Sequence, residues 1–191
     1  MKKGFLIGIS IFGVFLVVVG IMWVNAFNGA KTKANEIETL RGDVYASLSV
    51  RYEKMGTFID AISDANSIVT GYLEVIRDAR VAFAEAIGKA NVDASEVDEI
   101  SGTIDGTFIT LLSYMEDNPA SYNTVNLYQG FLSEFSAATN VVLNRILEYN
   151  RAVLAFNNHI ETFPNLLFVG NETRKQTYAV DNYNTTLPTF N

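Results

Sequence analysis

The sequence predicts an all-α protein: an antiparallel four-helix bundle with long helices, preceded by one N-terminal transmembrane helix. Three observations lead to this fold class. The first 24 residues contain a long uncharged apolar run, no proline occurs between Met1 and Asn118, and apolar residues recur at heptad spacing over two long regions. We divide the chain into a short basic N-terminus (1–3), a transmembrane helix (4–24), a helical bundle domain (25–163) and an irregular, surface-bound C-terminal tail (164–191).

The apolar run begins at Gly4 and ends at Val24, and its 21 residues carry no charge. A helix of that length covers about 30 Å, the thickness of a bilayer's hydrocarbon core. Its Leu, Ile, Val and Phe residues together favour insertion by about 4–8 kcal/mol, so we expect the lipid bilayer to be its partner. We favour a retained anchor over a cleavable signal, because signal peptides have apolar runs of only about 7–15 residues. The start Lys3-Gly4-Phe5 resembles a type IV pilin leader, but Ile9 stands where that leader needs glutamate.

Charges on the two sides of the run bear on orientation and on partners. Lys2 and Lys3 directly precede the run, whereas Lys31, Lys33 and Arg41 follow it at a greater distance. Because basic residues favour the cytoplasmic side, we expect a single-pass cell-membrane protein with a cytoplasmic N-terminus and a body outside the cytoplasm. The net charge of −7 disfavours nucleic acid as a partner, and the lack of cysteine excludes disulfides and thiolate sites.

The first heptad region covers residues 34–86. Fourteen of its sixteen core positions are apolar, which is the 3.5-residue repeat of packed helices. One helix over this region would leave its apolar seam without a partner, so we expect two antiparallel helices with a break at Gly56 or within residues 63–67. The sixteen positions are Ala34, Arg41, Leu48, Met55, Ile62, Val69, Ile76 and Phe83, together with Ile37, Val44, Arg51, Phe58, Ala65, Tyr72, Ala79 and Ala86.

The second heptad region covers residues 125–163, where eleven of twelve core positions are apolar. Pro164 lacks an amide donor and clashes with the preceding turn, so this helix is expected to end near Phe163. Residues 91–106 are rich in Asp, Glu, Ser and Gly; we interpret them as a linker, followed by a short helix at residues 107–115. The twelve positions are Val125, Leu132, Thr139, Ile146, Val153 and Ile160, together with Tyr128, Phe135, Val142, Tyr149, Phe156 and Phe163.

No set of side chains in the sequence indicates a catalytic site, a metal site or a bound cofactor. His159 is the only histidine and lacks a Glu-x-x-His pattern, so we expect a surface or packing role. Arg41 and Arg51 interrupt the apolar seam; we expect them at its edge with their charges in water, in preference to a buried carboxylate partner or a groove for an acidic ligand. An acidic cluster does not follow EF-hand spacing and is interpreted as solvated or helix-capping. Its members are Asp93, Glu96, Asp98, Glu99 and Asp105.

An aromatic residue followed by asparagine occurs twice near the end of the second heptad region. Tyr149-Asn150 and Phe156-Asn157 are seven residues apart, and the run ends at Phe163-Pro164. At this spacing the two aromatic residues share one core line and the asparagines flank it. Amides in that place can hydrogen-bond to a neighbouring helix and so fix the register of packing.

This string, with Val153 and Ile160 at the intervening positions, resembles the hallmark of the LemA family. The block from Arg51-Tyr52 to Ala79-Arg80 is similar to an early block of that family, and Phe27-Asn28 follows the apolar run as the family's Tyr-Asn does. The chain departs from the pattern at Gly56, where the family has proline. It departs again after Gly170, where only Tyr178 corresponds to the family's aromatic ending.

The resemblance implies a bacterial single-pass membrane protein with an antiparallel four-helix bundle, and it implies no catalytic residues. We therefore expect a non-enzymatic, membrane-anchored scaffold or protein-interaction module at the envelope, acting through a protein partner or self-association. The alternative is a sensor module that binds a peptide or ligand in a groove between helices. In that case Tyr114, Tyr122 and Tyr183 would be exposed and clustered.

Overall fold

Helices are the only regular secondary structure in the described part of the chain. The computed structural model describes residues 2–62, 67–89, 92–118, 125–183 and 187, and no strand occurs in these ranges. The elements are α1 (Lys2–Ala61), α2 (Ser67–Ile87), α3 (Ala94–Asp117), α4 (Val125–Glu161), α5 (Leu166–Val169) and a 3₁₀ helix (Val180–Tyr183). The predicted all-α class is therefore confirmed.

α1 is a single helix of 60 residues. We predicted a transmembrane helix over residues 4–24; α1 contains this segment and continues beyond residue 24. Residues 25–61 contain no proline and only isolated glycines, so nothing in the sequence stops the helix. The N-terminal part of α1 is long and apolar enough to cross a membrane, a property that a signal segment shares.

The interruption of the first heptad region falls after α1, which ends at Ala61, and before α2, which begins at Ser67. This agrees with the predicted break within residues 63–67, of which residues 63–66 lie outside the described ranges. The alternative break at Gly56 is wrong, because Gly56 is buried inside α1. A Cβ at Gly56 would lie 2.6 Å from Nη1 of Arg80, so the missing side chain makes room for that guanidinium.

α3 occupies most of the segment that we interpreted as a linker. The side chain of Asp93 accepts a hydrogen bond from the Ser95 N–H at 2.9 Å and caps the start of the helix. Ser101 and Asp105 lie on the buried face and interrupt its apolar stripe, which hid the helical period in the sequence. The predicted linker is therefore wrong over residues 94–106, whereas the helix predicted at residues 107–115 is present as the second half of α3. The buried residues of α3 are Val97, Ser101, Ile104, Asp105, Phe108, Leu111, Leu112 and Met115.

α4 confirms the second heptad region and its end before Pro164. Among the twelve predicted core positions, those that the structure describes are buried except Leu132 and Phe163. Phe163 was placed on the core line, yet it is 72% exposed. α4 ends at Glu161, so helical geometry no longer directs Phe163 toward the core. In the first region, the described positions are buried except four that are half-buried: Ala34, Arg41, Tyr72 and Ala79.

Backbone contacts divide the chain into two compact units, each described by itself. Unit 1 comprises Met1–Thr39 and Asn150–Gln176, and unit 2 comprises Leu40–Tyr149 and Thr177–Asn191. Unit 2 has an aromatic core in which the ring centroid of Phe131 lies 4.5 Å from that of Phe58 and 5.2 Å from that of Phe135. α1 and α4 contribute to both units. The predicted domain boundaries after residues 24 and 163 stay predictions.

The described part of the C-terminal tail differs from the expected irregular, surface-bound segment in two short helical elements and two buried tyrosines. It contains α5 and the 3₁₀ helix, and otherwise it is irregular over its described residues. Tyr178 is 2% exposed and Tyr183 is fully buried. The expectation of a surface-bound tail is wrong for these two residues, and so is the expectation that Tyr183 belongs to an exposed tyrosine cluster. Tyr114 is half-buried, and Tyr122 lies outside the described residues.

Candidate functional site

The N-terminal part of α1 presents apolar side chains to the outside. Residues 4–30 carry no charge. Phe5 is 71% exposed and Phe15 is 58% exposed. A bilayer can cover the apolar surface of a long helix at no desolvation cost, whereas exposure of that surface to water is unfavourable. Trp23 stacks on Phe27 with a centroid distance of 6.2 Å at the end of the run, where interfacial aromatic residues usually lie.

A buried ion pair lies in unit 2. Nη1 of Arg51 on α1 donates to Oδ2 of Asp105 on α3 at 2.7 Å, and the two side chains are 0% and 2% exposed. Nε of Arg51 donates to Oγ1 of Thr139 on α4 at 3.1 Å. The guanidinium carbon also lies 4.8 Å from the ring centroid of Phe135. The side chain of Arg51 thus makes polar contacts with α3 and α4 at once.

The position expected for Arg51, at the edge of the seam with its charge in water, is wrong. The less favoured alternative, a buried carboxylate partner, is what the structure has. Asp105 lies on α3, in the segment that we interpreted as a linker, so the sequence did not indicate a core partner for Arg51. The signal that could have found it is the i, i+4 spacing of Val97, Ser101 and Asp105. Arg41, the other arginine of the seam, is half-buried.

The surroundings of the ion pair change the acidity of two groups. Burial raises the pKa of Asp105 to about 6, and the charge and hydrogen bond of Arg51 oppose that rise. Burial, and next the charge of Asp105, also raise the pKa of Tyr52. Within the described residues, the hydroxyls of Tyr52 and Ser101 and Oδ1 of Asp105 are buried without a hydrogen-bonding partner. Each such group lowers the free energy of unfolding by about 1–3 kcal/mol, so this cluster is a destabilising feature that the rest of the fold offsets.

We expect the free energy of unfolding to rise as the pH falls from about 7 toward about 5. The folded pKa of Asp105, about 6, lies above its ordinary value of 3.8. Between these values the folded chain holds a proton that the unfolded chain has released, so lowering the pH through this window favours the folded form. Burial also raises the pKa of Asp98, which acts in the same direction. Chemical unfolding at the two pH values measures the change, and an Asp105→Asn variant that responds as strongly as the unaltered protein would contradict it.

The C-terminal segment of unit 2 is attached through tyrosine hydroxyls. Tyr183 donates to Oδ1 of Asp98 on α3, and the N–H of Ala179 donates to Oδ2 of the same carboxylate at 3.2 Å. The hydroxyl of Tyr178 donates to that of Tyr45 on α1 at 3.0 Å. Asp98 therefore binds the C-terminal segment. Our interpretation of Asp98 as part of a solvated linker is wrong.

His159 is a half-buried packing residue of unit 1. Its Nε2 lies 2.9 Å from the carbonyl oxygen of Ala26, and its Nδ1 lies 3.2 Å from Nδ2 of Asn165. These partners favour the tautomer in which Nε2 donates and Nδ1 accepts. A Cβ at Gly29 would lie 2.6 Å from the imidazole, so the glycine permits the ring to reach α1. The imidazole thus joins the end of α4 to the α1 turn that directly follows the apolar run.

Asn157 uses its amide on the tail and not on a neighbouring helix. Its Nδ2 donates to the carbonyl oxygen of Lys175 at 3.0 Å, and its Oδ1 accepts from the N–H of Lys175 at 2.9 Å. Asn157 is 5% exposed. The expectation that this amide would bridge to a helix is therefore wrong in its partner, although the residue does make a bridging contact.

Asn157→Leu is expected to loosen the tail of unit 1 and to lower the free energy of unfolding by about 1–3 kcal/mol, because both Lys175 backbone groups lose their partner. Limited proteolysis should then cut the segment around residue 175 faster. Asn158→Leu is the matched control, since Asn158 is the adjacent exposed asparagine. Equal cleavage rates in the two variants would contradict the role of the amide.

Three exposed apolar residues lie just after α4, and we call them the apolar corner. Phe163 is 72% exposed, Leu166 is 48% exposed and Leu167 is 69% exposed. They belong to unit 1, and Asn165 between them contacts the imidazole of His159. Hydrophobic side chains gathered on a surface mark a contact with another apolar phase more often than scattered ones do.

A shallow groove lies between α1 and α4 in unit 2. Its volume is about 290 Å³. Val50 and Val141, which line it, are each 50% exposed. Small and charged side chains complete the lining, so the groove offers both apolar and polar contacts. The lining residues are Asp43, Ala46, Ser47, Val50, Ala138, Val141 and Arg145.

The residues that carry the family resemblance are divided between the two units. Unit 2 contains Arg51, Tyr52, Ala79, Arg80 and Tyr149, and unit 1 contains Asn150, Phe156, Asn157, Phe163 and Pro164. Five of them are buried, namely Arg51, Tyr52, Tyr149, Phe156 and Asn157, whereas Phe163 is exposed. The five buried residues therefore have a packing or bridging role.

The remaining acidic residues are also accounted for by local contacts. Glu96 pairs with Lys89 across 2.5 Å, and Asp93 caps α3 as expected. Glu99 is exposed. In the described ranges, no group of three or more His, Asp and Glu side chains is placed to hold a metal ion.

The fold and the contacts define a class of protein: over its described residues the chain is helical, and one of the helices there is long and apolar enough to cross a membrane. A scan against protein-family models, a search of curated proteins and a search of solved structures each found no match for this chain.

Proposed function

We propose that this chain is a non-enzymatic, membrane-anchored helical-bundle protein of LemA type, and that it acts as a scaffold or protein-interaction module at the bacterial envelope. The observation that carries the proposal is the exposed apolar part of α1, which continues without a break into a helix with a buried face. Phe15, in the middle of the run, is 58% exposed, whereas Leu48 of the same helix is fully buried. One helix thus has both a lipid-compatible surface and a packed face.

An antiparallel four-helix bundle is the architecture that we propose for the body. Its support is the order in which residues of neighbouring helices pair in unit 2. As the residue number rises along α1, the residue number of its partner falls along α2 and α4 and rises along α3. The pairs are Tyr52–Phe83 and Gly56–Arg80 with α2, Lys54–Glu134 and Phe58–Phe131 with α4, and Arg51–Asp105 and Phe58–Phe108 with α3.

The buried ion pair suits a scaffold. Arg51 can satisfy Asp105 and Thr139 together in only one register of α1, α3 and α4, since each bond needs a separation near 3 Å. Buried polar groups of this kind select one packing arrangement over its neighbours. A fixed helical body held at a membrane is suited to presenting a constant surface to other proteins.

A second candidate is a binding module, and the groove between α1 and α4 is the observation in its favour. Its exposed valines, Val50 and Val141, could receive an apolar side chain of a peptide, and Asp43 and Arg145 could receive its polar groups. In that case recognition would depend on this groove and not on placement at the membrane.

Photo-crosslinking in intact membranes separates the two candidates. A crosslinking residue replaces Val141 in the groove or Val81 on α2, which is 54% exposed. Each is placed both in the full-length chain and in a Val14→Arg/Val17→Arg variant that lacks a competent apolar run. A scaffold should give discrete protein adducts that disappear in the second background. A groove binder should give an adduct from position 141 alone in both backgrounds, and the lack of adducts in every case would overturn both candidates.

We also propose that the body lies outside the cytoplasm, because Lys2 and Lys3 directly precede the apolar run. The chain has no cysteine, so one introduced thiol reports without background. Thr57→Cys, at an exposed position, is expected to react with a membrane-impermeant maleimide in intact cells. Reaction only after lysis would place the body in the cytoplasm.

A further inference from the structure

We propose that the apolar corner, formed by Phe163, Leu166 and Leu167, inserts into the lipid interface beside the N-terminal run. The chain would then contact the bilayer at two places: a spanning segment and an interfacial one. This inference rests on the proposed membrane anchoring, and it adds a second lipid contact to it.

The first support is the exposure of these side chains. Phe163 and Leu167 are 72% and 69% exposed, as much as residues inside the apolar run, where Phe5 is 71% exposed and Phe12 is 61% exposed. Yet Val169, two residues further on, is 2% exposed, so the segment is not exposed throughout. The corner thus presents its largest apolar side chains outward while the adjacent part of α5 is packed inward.

The second support is the attachment of the corner to the end of the apolar run. Nε2 of His159 lies 2.9 Å from the carbonyl oxygen of Ala26, which is two residues after Val24. The other nitrogen of the same ring lies 3.2 Å from the amide of Asn165, which is part of the corner segment. Two residues of helix correspond to about 3 Å, so the ring joins the corner to α1 close to the level at which the run ends.

The third support is the distribution of polar and aromatic residues around that level. Trp23 and Phe27 stack on the same stretch of α1 and are 53% and 50% exposed, as expected of aromatic residues in a membrane interface. The first charges after the run are Lys31 and Lys33. Near the corner, Arg174 pairs with Glu161 at 3.0 Å. The apolar side chains at the end of the run, where α1 carries no charge before Lys31, favour lipid over a second protein as the occupant of the corner.

Depth-dependent fluorescence quenching in vesicles tests the inference with the full chain. The lack of cysteine allows single labelled variants, each carrying an environment-sensitive dye. Leu167→Cys and Phe163→Cys probe the corner, and Phe15→Cys probes the middle of the apolar run. Leu154→Cys is the matched control, because Leu154 is also apolar, 57% exposed and part of unit 1, but it lies about two turns before the end of α4. The vesicles are phosphatidylcholine with spin-labelled lipids whose quenching group is either shallow or deep.

The dye at positions 163 and 167 is expected to lose fluorescence to the shallow quencher and to report a depth of about 5–10 Å into the boundary of headgroups and acyl chains. The dye at position 15 should lose most to the deep quencher, and the dye at position 154 should lose little to either. Unquenched corner positions together with a quenched position 15 would overturn this inference and leave the anchoring intact. An unquenched position 15 would overturn both.

A protein occupant has its own signature in the same samples. It would shield the dye at position 167 from aqueous iodide without exposing it to either lipid quencher, and that result would also overturn the inference. Adding phosphatidylglycerol to the vesicles reports whether headgroup charge matters. If the insertion is apolar, as proposed, the depth at position 167 should not change. Circular dichroism of each labelled variant must match that of the unlabelled protein, and the two corner positions serve as independent readouts.

Discussion

Asp105→Leu is expected to lower the free energy of unfolding by about 3–5 kcal/mol, because it leaves the Arg51 guanidinium buried without a counter-charge. Arg51 is 0% exposed, and arginine cannot escape by releasing its proton. Arg51→Met is expected to cost less, because a lone buried Asp105 can take up a proton and become neutral. Chemical unfolding of the full-length protein in detergent micelles, followed by circular dichroism, measures both changes.

The matched control is an ion pair of the same length at the surface. Nζ of Lys54 lies 2.7 Å from Oε2 of Glu134, but these side chains are 43% and 62% exposed. Glu134→Leu should change the stability little, because solvent screens an exposed pair. The double variant Arg51→Met/Asp105→Leu should regain most of the free energy of unfolding that Asp105→Leu loses, since both members of the buried ion pair are then replaced by apolar side chains. If Asp105→Leu cost no more than Glu134→Leu, the buried pair would not have the role that we give it.

Val14→Arg together with Val17→Arg is expected to release the chain from membranes. Each arginine near the centre of a span costs about 2.5–3.5 kcal/mol, and the whole apolar run contributes about 4–8 kcal/mol, so the two substitutions offset most or all of the insertion energy. The measurement is the fraction of the protein that sediments with membranes after an alkaline carbonate wash.

Val75→Arg together with Val81→Arg makes the same chemical change on α2. These valines are 45% and 54% exposed, so arginine there remains in contact with solvent. This variant is expected to sediment with membranes like the unaltered chain. Equal release of the two double variants would show that membrane association does not depend on the apolar run.

The features of the fold that could be predicted are those with a strong local pattern. The heptad repeat located the buried face of α4, and Pro164 marked its end, because both act within a single helix. The need of the apolar seam of the first region for a partner predicted a break, and residues 63–67 were one of its two predicted places; the other, Gly56, was wrong. In each case the pattern and the physical rule lie within one continuous stretch of the chain.

The features that could not be predicted depend on partners distant in sequence. Asp105 was interpreted as part of a solvated linker because its counter-charge, Arg51, lies more than fifty residues earlier in the sequence. The burial of Tyr183 likewise depends on Asp98. Phe163 shows the converse error, because the heptad pattern was continued beyond the residue at which α4 ends. Local periodicity indicates which face of a helix is buried, but not which polar residue that face accepts.

The pair of hydrogen bonds between Asn157 and Lys175 determines which substitutions the tail can accept at residue 175. Asn157 bonds the main-chain N–H and carbonyl of residue 175 and leaves the lysine side chain exposed. The two hydrogen bonds therefore do not depend on the side chain at position 175, and most amino acids should be tolerated at this position. Proline is the exception, since it has no N–H to offer.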